Sequence, residues 1–284
     1  MDFTVAKRSF LPEELQFPAP LALENMISVR NITKNFGGKN VLNGLNLEIP
    51  HGETLVIMGR SGCGKSVLLK IIAGLIAADS GEIWFDGTEI SKLKTKKMNL
   101  LRQKIGMLFQ SAALFDSMTV AENVAFMLDQ HTDYSKQEMR KIVDEKLELV
   151  DLEGVQDLRP AELSGGMRKR VGLARALAFN PEVILYDEPT TGLDPVTCTE
   201  INQLIRDLHE QLKVTSVVVT HDMHSAFSVG TRMAMIHEGR QIAYGSPDEI
   251  INIDDPILQQ FVLFGAPDQI LNMENPILKE YLNR

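Results

Sequence analysis

The chain has 284 residues, 44% hydrophobic content and a formal net charge of −9, enough apolar material for one large domain or two modest ones. The acidic balance argues against a general nucleic-acid binder, and no apolar run approaches the roughly 20 residues needed to span a bilayer. Two cysteines, Cys63 and Cys198, give neither a disulfide framework nor a metal-ligand spacing, and the start has no apolar signal-peptide core, so the expected setting is reducing and cytoplasmic.

Residues 1–25 carry Pro12, Pro18 and Pro20 without a clear period and are expected to form an irregular arm. From Ile27 to Phe36 and from Leu45 to Ile49 apolar residues alternate as in half-buried strands, with a turn at Gly37-Gly38. The apolar run Leu55–Met58 leads into Gly59-Arg60-Ser61-Gly62-Cys63-Gly64-Lys65-Ser66, and Val67–Ile72 follows as a helix. The spacing G-x-x-x-x-G-K-S between strand and helix is that of a phosphate-binding loop, in which glycines let successive N–H groups face a polyphosphate at a helix N-terminus. Lys65 is then placed to reach the β- and γ-phosphates, and Ser66 to hold Mg²⁺.

Another short strand is expected within Gly81–Gly87, completing a small antiparallel sheet against the phosphate-loop core. Lys92, Lys94, Lys96, Lys97, Arg102 and Lys104 form a local basic cluster, read as a solvated surface segment. After Ile105–Gln110 the pattern turns helical over Val120–Leu128, Lys136–Val150 and Met167–Ala178, a helical insert across about 111–180. Val183–Glu188 and Ser216–Thr220 return to apolar strands, the second running into His221-Asp222. Strands alternating with helices imply a parallel sheet with ligands at the strand C-termini, where Gln110, Asp187, Glu188 and His221 fall.

Asp187, at the end of a buried-type strand, suits a carboxylate that holds Mg²⁺, and Glu188 suits a base for the attacking water. His221, beside a γ-phosphate, can donate to developing charge. The remaining histidines show no metal spacing. Leu163-Ser164-Gly165-Gly166-Met167 is a second glycine loop opening a helix, about a hundred residues from the first. One nucleotide can touch both loops only if the second comes from another molecule.

Over about Met26–Phe264 these motifs resemble the nucleotide-binding subunits of ATP-binding cassette transporters. The resemblance implies Phe36 stacking on adenine, Gly59 to Ser66 with Val67 as the phosphate loop, and Gln110 as the glutamine loop, a metal ligand and a catalytic participant. It further implies Ser164, Gly165 and Gly166 as the signature, Asp187 as metal ligand, Glu188 as catalytic base, Asp194 within the Gly192–Pro195 D-loop as a nucleotide contact, and His221 as the switch histidine. Met167 stands where that family commonly has glutamine. The stretch from Leu101 through Gln110 to Val124, with Leu163–Ala178, resembles the ATPases of Mla/Mce-type phospholipid transporters.

The implied fold is a P-loop NTPase core with an antiparallel β subdomain, an α-helical signature subdomain and a short helical C-terminal extension. The implied ligands are ATP and Mg²⁺. The implied partners are a second copy in a head-to-tail ATP sandwich, a membrane permease, a small STAS-domain subunit and a periplasmic lipid-binding subunit, at the cytoplasmic face of a bacterial inner membrane, with no nucleic acid. Alternatives are an amino-acid or metal-ion importer and a soluble cassette protein outside transport. Leu114, Phe115 and Met118 are expected to offer an apolar surface to the permease. The tail repeats: Gly245–Leu258 is echoed by Gly265–Leu278, placing an extension over 265–284 after the 26–264 domain. The first copy opens with a capping box, Ser246 to Glu249 with Pro247 at the first helical position.

Overall fold

The structure, a computed structural model, describes residues 25–255 together with 257, 258 and 261. Of the expected arm over 1–25, residues 1–24 lie outside the described residues and Asn25 opens a strand instead; the second tail copy over 265–284 also lies outside them.

Two sheets organise the fold. Strands β1 (Asn25–Phe36), β2 (Lys39–Pro50), β4 (Ser80–Phe85) and β5 (Thr88–Glu89) form an antiparallel sheet in the order β2-β1-β4-β5. The strand β2 is longer than expected because Asn43-Gly44 interrupts the alternation without ending the strand. Its pairing with β1 shifts register around Ile32 and Lys34, where Asn31 (φ 52°) and Gly44 (φ 70°) both take left-handed backbone, as a bulge allows.

The second sheet has six strands in the order β10-β9-β3-β8-β7-β6. It comprises β3 (Thr54–Met58), β6 (Ile105–Leu108), β7 (Val183–Asp187), β8 (Thr215–Val219), β9 (Arg232–His237) and β10 (Arg240–Gly245). Every pairing is parallel except β9 with β10. Residues of β3, β7, β8 and β9 alternate between two cores. Leu55, Ile57, Leu185, Val217 and Ala234 face helix α1 (Lys65–Ile72) and the antiparallel sheet. Val56, Met58, Tyr186, Val218 and Met233 face α5 (Gly165–Leu177), α6 (Pro195–Leu212) and α7 (Met223–Val229). Burial on both faces is why these strands read as unbroken apolar runs. Their order puts the chain segments leaving β3, β8, β7 and β6 side by side along one sheet edge.

The basic segment contains a helix, α2 (Thr95–Gln103), which the sequence reading left out. It buries Leu101 while Lys92, Lys94, Lys96 and Lys97 stay exposed as expected, but Arg102 is part-buried with its guanidinium donating to the Gly74 carbonyl, and Lys104 is part-buried and paired with Glu182. Between β6 and β7 the chain forms α3 (Val120–His131) and α4 (Lys136–Glu148) before α5. Thr119 with Glu122 and Ser135 with Glu138 close capping boxes at the starts of α3 and α4. The final helix, α8 (Pro247–Ile251), starts with the expected Ser246–Glu249 capping box. Asp255 Oδ1 then accepts from the N–H groups of Ile257 and Leu258, and Leu258 and Phe261 are buried in the larger helical core.

The loop that follows Gln110 is shaped from below by Asn123, whose side chain is wholly buried on α3. Its Oδ1 accepts from Phe115 N at 2.8 Å, and its Nδ2 donates to the carbonyls of Phe115 (3.1 Å), Met118 (3.3 Å) and Thr119 (2.9 Å). An unsatisfied buried polar group costs about 1–3 kcal/mol, so Asn123→Ala is expected to lower unfolding stability by about 2–3 kcal/mol. An unchanged urea midpoint for that variant would contradict the assignment.

Candidate active site

Directly after β3, the glycines of the phosphate loop are demanded by geometry rather than by composition alone. Gly64 has φ 105°, and a Cβ there would sit 2.7 Å from Leu42 Cδ2 and 2.8 Å from the Val41 carbonyl oxygen. Gly59 has φ 152°, and its Cβ would meet the Ile236 carbonyl oxygen at 2.4 Å. The loop is thereby pressed against β2 on one side and β9 on the other, with α1 beginning at Lys65. The side chain of Lys65 is buried, folded back so that Nζ donates to the carbonyls of Gly59 (2.7 Å) and Arg60 (3.2 Å). Burial pushes the Cys63 thiol above its ordinary range, against the opposing charge of Lys65.

Three further strand ends, those of β6, β7 and β8, contribute the remaining groups. Ser66 Oγ donates to Asp187 Oδ1 at 2.6 Å, joining α1 to β7. Glu188 follows with φ 49°, a left-handed conformation that costs a non-glycine residue on the order of 1–2 kcal/mol. It is held by its N–H donating to the Val219 carbonyl (2.9 Å), and its Oε2 accepts from Thr191 Oγ1 (3.0 Å) and lies 2.8 Å from His221 Nδ1. His221 was expected to address phosphate; here Nδ1 addresses the Glu188 carboxylate, which leaves Nε2 as the ring's outward nitrogen. Gln110 lines a cleft with Lys70, Phe109, Ser111, Asp187 and Thr191. Behind it, the buried Lys169 Nζ donates to the carbonyls of Gln110 (2.5 Å) and Glu188 (3.1 Å). Burial lowers the Lys169 pKa, opposed by the charges of Asp187 and Glu188.

The donor set is hard oxygen: a serine hydroxyl, a buried carboxylate and an exposed glutamine amide. Among the described residues no group of three or more His, Cys, Asp or Glu side chains could hold a metal by itself. That fits Mg²⁺, which takes one or two protein oxygens and completes its shell with phosphate and water.

The structure therefore gathers Gly59–Val67, Gln110, Asp187, Glu188 and His221 at one sheet edge. Ser164 and Asp194 make no side-chain hydrogen bond to the phosphate loop among the described residues, their bonds closing helix caps instead. Phe36 is half exposed at the end of β1, with Lys34 Nζ 5.2 Å from its ring centre. Ser164 Oγ caps α5 by accepting from Met167 N at 3.2 Å. Asp194 caps α6, accepting from the N–H groups of Val196 and Thr197 at 3.1 Å and from Thr197 Oγ1 at 2.6 Å, which holds its carboxyl below the usual range. These two caps adjoin each other: a Cβ on Gly166 would meet Thr197 Cγ2 at 2.6 Å, and one on Gly165 would meet Leu193 Cδ2 at 3.1 Å.

Lys169 and Thr191 were missed by the sequence reading. A lysine four residues before Leu173, inside the buried stripe of α5, was the available signal for the first. Nothing in the residue pattern marked the second.

Comparison with known proteins agrees with this geometry. Residues 42–191 match the family described as ABC transporter. The chain is 41% identical over 239 residues to the intermembrane phospholipid transport system ATP-binding protein MlaF of Haemophilus influenzae, covering 84% of this chain and 90% of that one. It is 43% identical over 236 residues to the probable ribonucleotide transport ATP-binding protein mkl of Mycobacterium leprae, covering 83% of this chain and 68% of that one. Among solved structures, a dimeric bacterial ABC transporter cassette matches with a TM-score of 0.73 at 38% identity, covering 78% of this chain and 98% of its own. A phosphate loop, an acidic strand end and a histidine arranged at one sheet edge, together with these matches, make the chain a member of the ABC transporter family, an ATP-binding and ATP-hydrolysing cassette.

Proposed function

We propose that this cassette energises a phospholipid transporter, as a peripheral subunit held at the cytoplasmic face of a bacterial inner membrane by its permease. The single observation that supports the catalytic half most strongly is the contact chain Ser66–Asp187, Glu188–His221, set beside the buried ammonium of Lys65. The phospholipid half is supported by MlaF relatives in two organisms, each matched over 90% of its own length. The mycobacterial name gives a second reading, ribonucleotide transport, to which the chain is equally similar in sequence. Peripheral attachment accords with the described residues, in which no helix is long and apolar enough to cross a membrane.

In this reading the phosphate-loop N–H groups and Lys65 bind the β- and γ-phosphoryl oxygens, and Phe36 offers its exposed ring to adenine. Ser66, Gln110 and Asp187 are the residues that would hold Mg²⁺, and the ion supplies charge neutralisation at the phosphoryl oxygens. Glu188 orients water and takes its proton. His221 addresses the Glu188 carboxylate through Nδ1, and with hydrogen on both ring nitrogens it can also donate from Nε2 to a phosphoryl oxygen, so one ring serves base and transition-state charge together. Ser164, Gly165, Gly166 and Asp194 are assigned to the nucleotide of a second copy, since the side chains of Ser164 and Asp194 close their own helix caps and none bonds to the phosphate loop among the described residues. Docking to the permease uses the loop after Gln110. There Phe115 is 41% exposed, with Leu114 and Met118 half-buried beside it. Its ring lies 4.6 Å from that of Phe126 and beneath Arg175. A small STAS-domain subunit and a periplasmic lipid-binding subunit complete the assembly we propose.

Glu188→Gln is expected to keep nucleotide affinity and lose hydrolysis by about 10²–10⁴-fold, the usual contribution of a general base. Wild-type turnover in that variant would remove Glu188 from the role. In the purified transporter, Phe115→Asp is expected to leave a folded, ATP-binding subunit whose hydrolysis no longer responds to the permease; loss of the fold would return Phe115 to the core. The two transport readings separate in proteoliposomes. ATP-dependent transfer of labelled phospholipid supports the proposal, and ATP-dependent uptake of ribonucleotide without lipid transfer overturns it.

A further inference from the structure

The helix that opens at the second glycine loop reaches back into its own chain's catalytic site through two cations. Lys169 is only 5% exposed, and both of its hydrogen-bond acceptors are main-chain carbonyls, of Gln110 and Glu188, that belong to different strand ends. Six positions further along α5, Arg175 donates to the carbonyls of Ala112 and Ala113, each at 2.7 Å. Ala112 and Ala113 both have positive φ, 60° and 47°, a conformation that alanine adopts only under constraint. Between the two cations Gly172 lets α5 approach closely, since a Cβ there would lie 3.0 Å from Leu108 Cδ1 and 3.2 Å from Ala112 Cβ. The loop after β6 is therefore fastened to α5 at Gln110, Ala112 and Ala113. The peptide of Glu188, strained at φ 49°, is fastened to the same helix.

We propose that Lys169 is a positioning residue for hydrolysis: it ties the Glu188 and Gln110 main chains to α5, so that base, glutamine loop and glycine loop hold a common geometry. The inference rests on the proposed role of Glu188 as base. Its physical content is that one ammonium satisfies two carbonyls which no side chain from β6 or β7 reaches. Without it the Glu188 peptide keeps its N–H bond to Val219 (2.9 Å) and the long Thr191 N–H contact on its carbonyl (3.3 Å) but loses its tie to Gln110 and α5, so the main chain that carries the carboxylate is less firmly placed. Both hydrogen bonds of Lys169 go to main-chain carbonyls outside the phosphate loop, so nucleotide binding by that loop does not depend on it.

The test uses the intact transporter and compares Lys169→Met, which has the length but no donor, with Lys169→Gln, which keeps two N–H donors on a shorter arm. Displacement of a base by about 1 Å can cost 10²-fold, so Lys169→Met is expected to lower kcat at least about tenfold with KM for ATP and the unfolding midpoint nearly unchanged. Lys169→Gln is expected to recover at least about a third of wild-type kcat, because the donors rather than the charge do the positioning. Wild-type kcat in Lys169→Met overturns the proposal, as does a loss that appears in KM, or equal impairment of the two variants. Should Lys169→Met fail to fold, Lys169→Gln decides: recovery to that level supports the proposal, and a lower kcat overturns it. Failure here leaves the base assignment intact when Glu188→Gln is inactive; turnover by Glu188→Gln sinks that assignment instead.

Discussion

A buried ammonium bonded to neutral carbonyls is the constraint on which the site depends. Lys65 is 6% exposed, and its hydrogen bonds go to Gly59 and Arg60. Removing a charge from water costs several kcal/mol unless it gains a counter-charge. A polyphosphate at the loop is that counter-charge, and exchanging two carbonyls for phosphoryl oxygens converts a cost of the fold into affinity. The same economy explains why the loop must pack so tightly against β2 and β9. Only glycines at 59 and 64 permit the approach that shields Lys65 from water.

The parallel sheet converts this local device into a catalytic site. Because β3, β8, β7 and β6 are successive neighbours, residues separated by more than a hundred positions leave the sheet at one edge. The Ser66–Asp187 bond spans 121 positions at 2.6 Å. Glu188 accepts strain at that edge, held by its N–H bond to Val219, by Thr191 and His221 on its carboxylate, and by Lys169 and the Thr191 N–H on its carbonyl. The glycine loop opening α5 is assigned elsewhere: its serine is occupied in capping, and its glycines are packed against Leu193 and Thr197. In the proposed reading the chain builds half of each nucleotide site, and Ser164, exposed at the start of α5, belongs to the half that serves a second copy.

Much of this was legible in the sequence because the relevant residues are contiguous or end apolar strands. Gly59–Ser66 carries its own turn chemistry, and Asp187 and His221 follow strands buried on both faces. What escaped were polar residues inside apolar helical stripes. Asn123 lies beside Val120 and Val124, and Lys169 beside Leu173, yet helical periodicity cannot tell which carbonyls, one of them 59 positions away, a polar side chain will reach. The first half of β2 was lost to Asn43-Gly44, a bulge that reads as a turn. The helix α2 was lost because a single buried leucine in a lysine-rich segment gives no stripe to detect. The histidine was placed correctly at its strand end, but its Glu188 partner could be read only in three dimensions.

The central claim is that the nucleotide site is completed by a second copy, and the mass of the chain in solution measures it most directly. With Glu188→Gln blocking turnover, sedimentation in MgATP is expected to show a dimer that reverts to monomer when nucleotide is removed. Adding Ser164→Arg is expected to abolish that dimer while the monomer still binds ATP. A dimer that persists with Ser164→Arg, or a Ser164→Arg monomer that cannot bind ATP, would contradict the account.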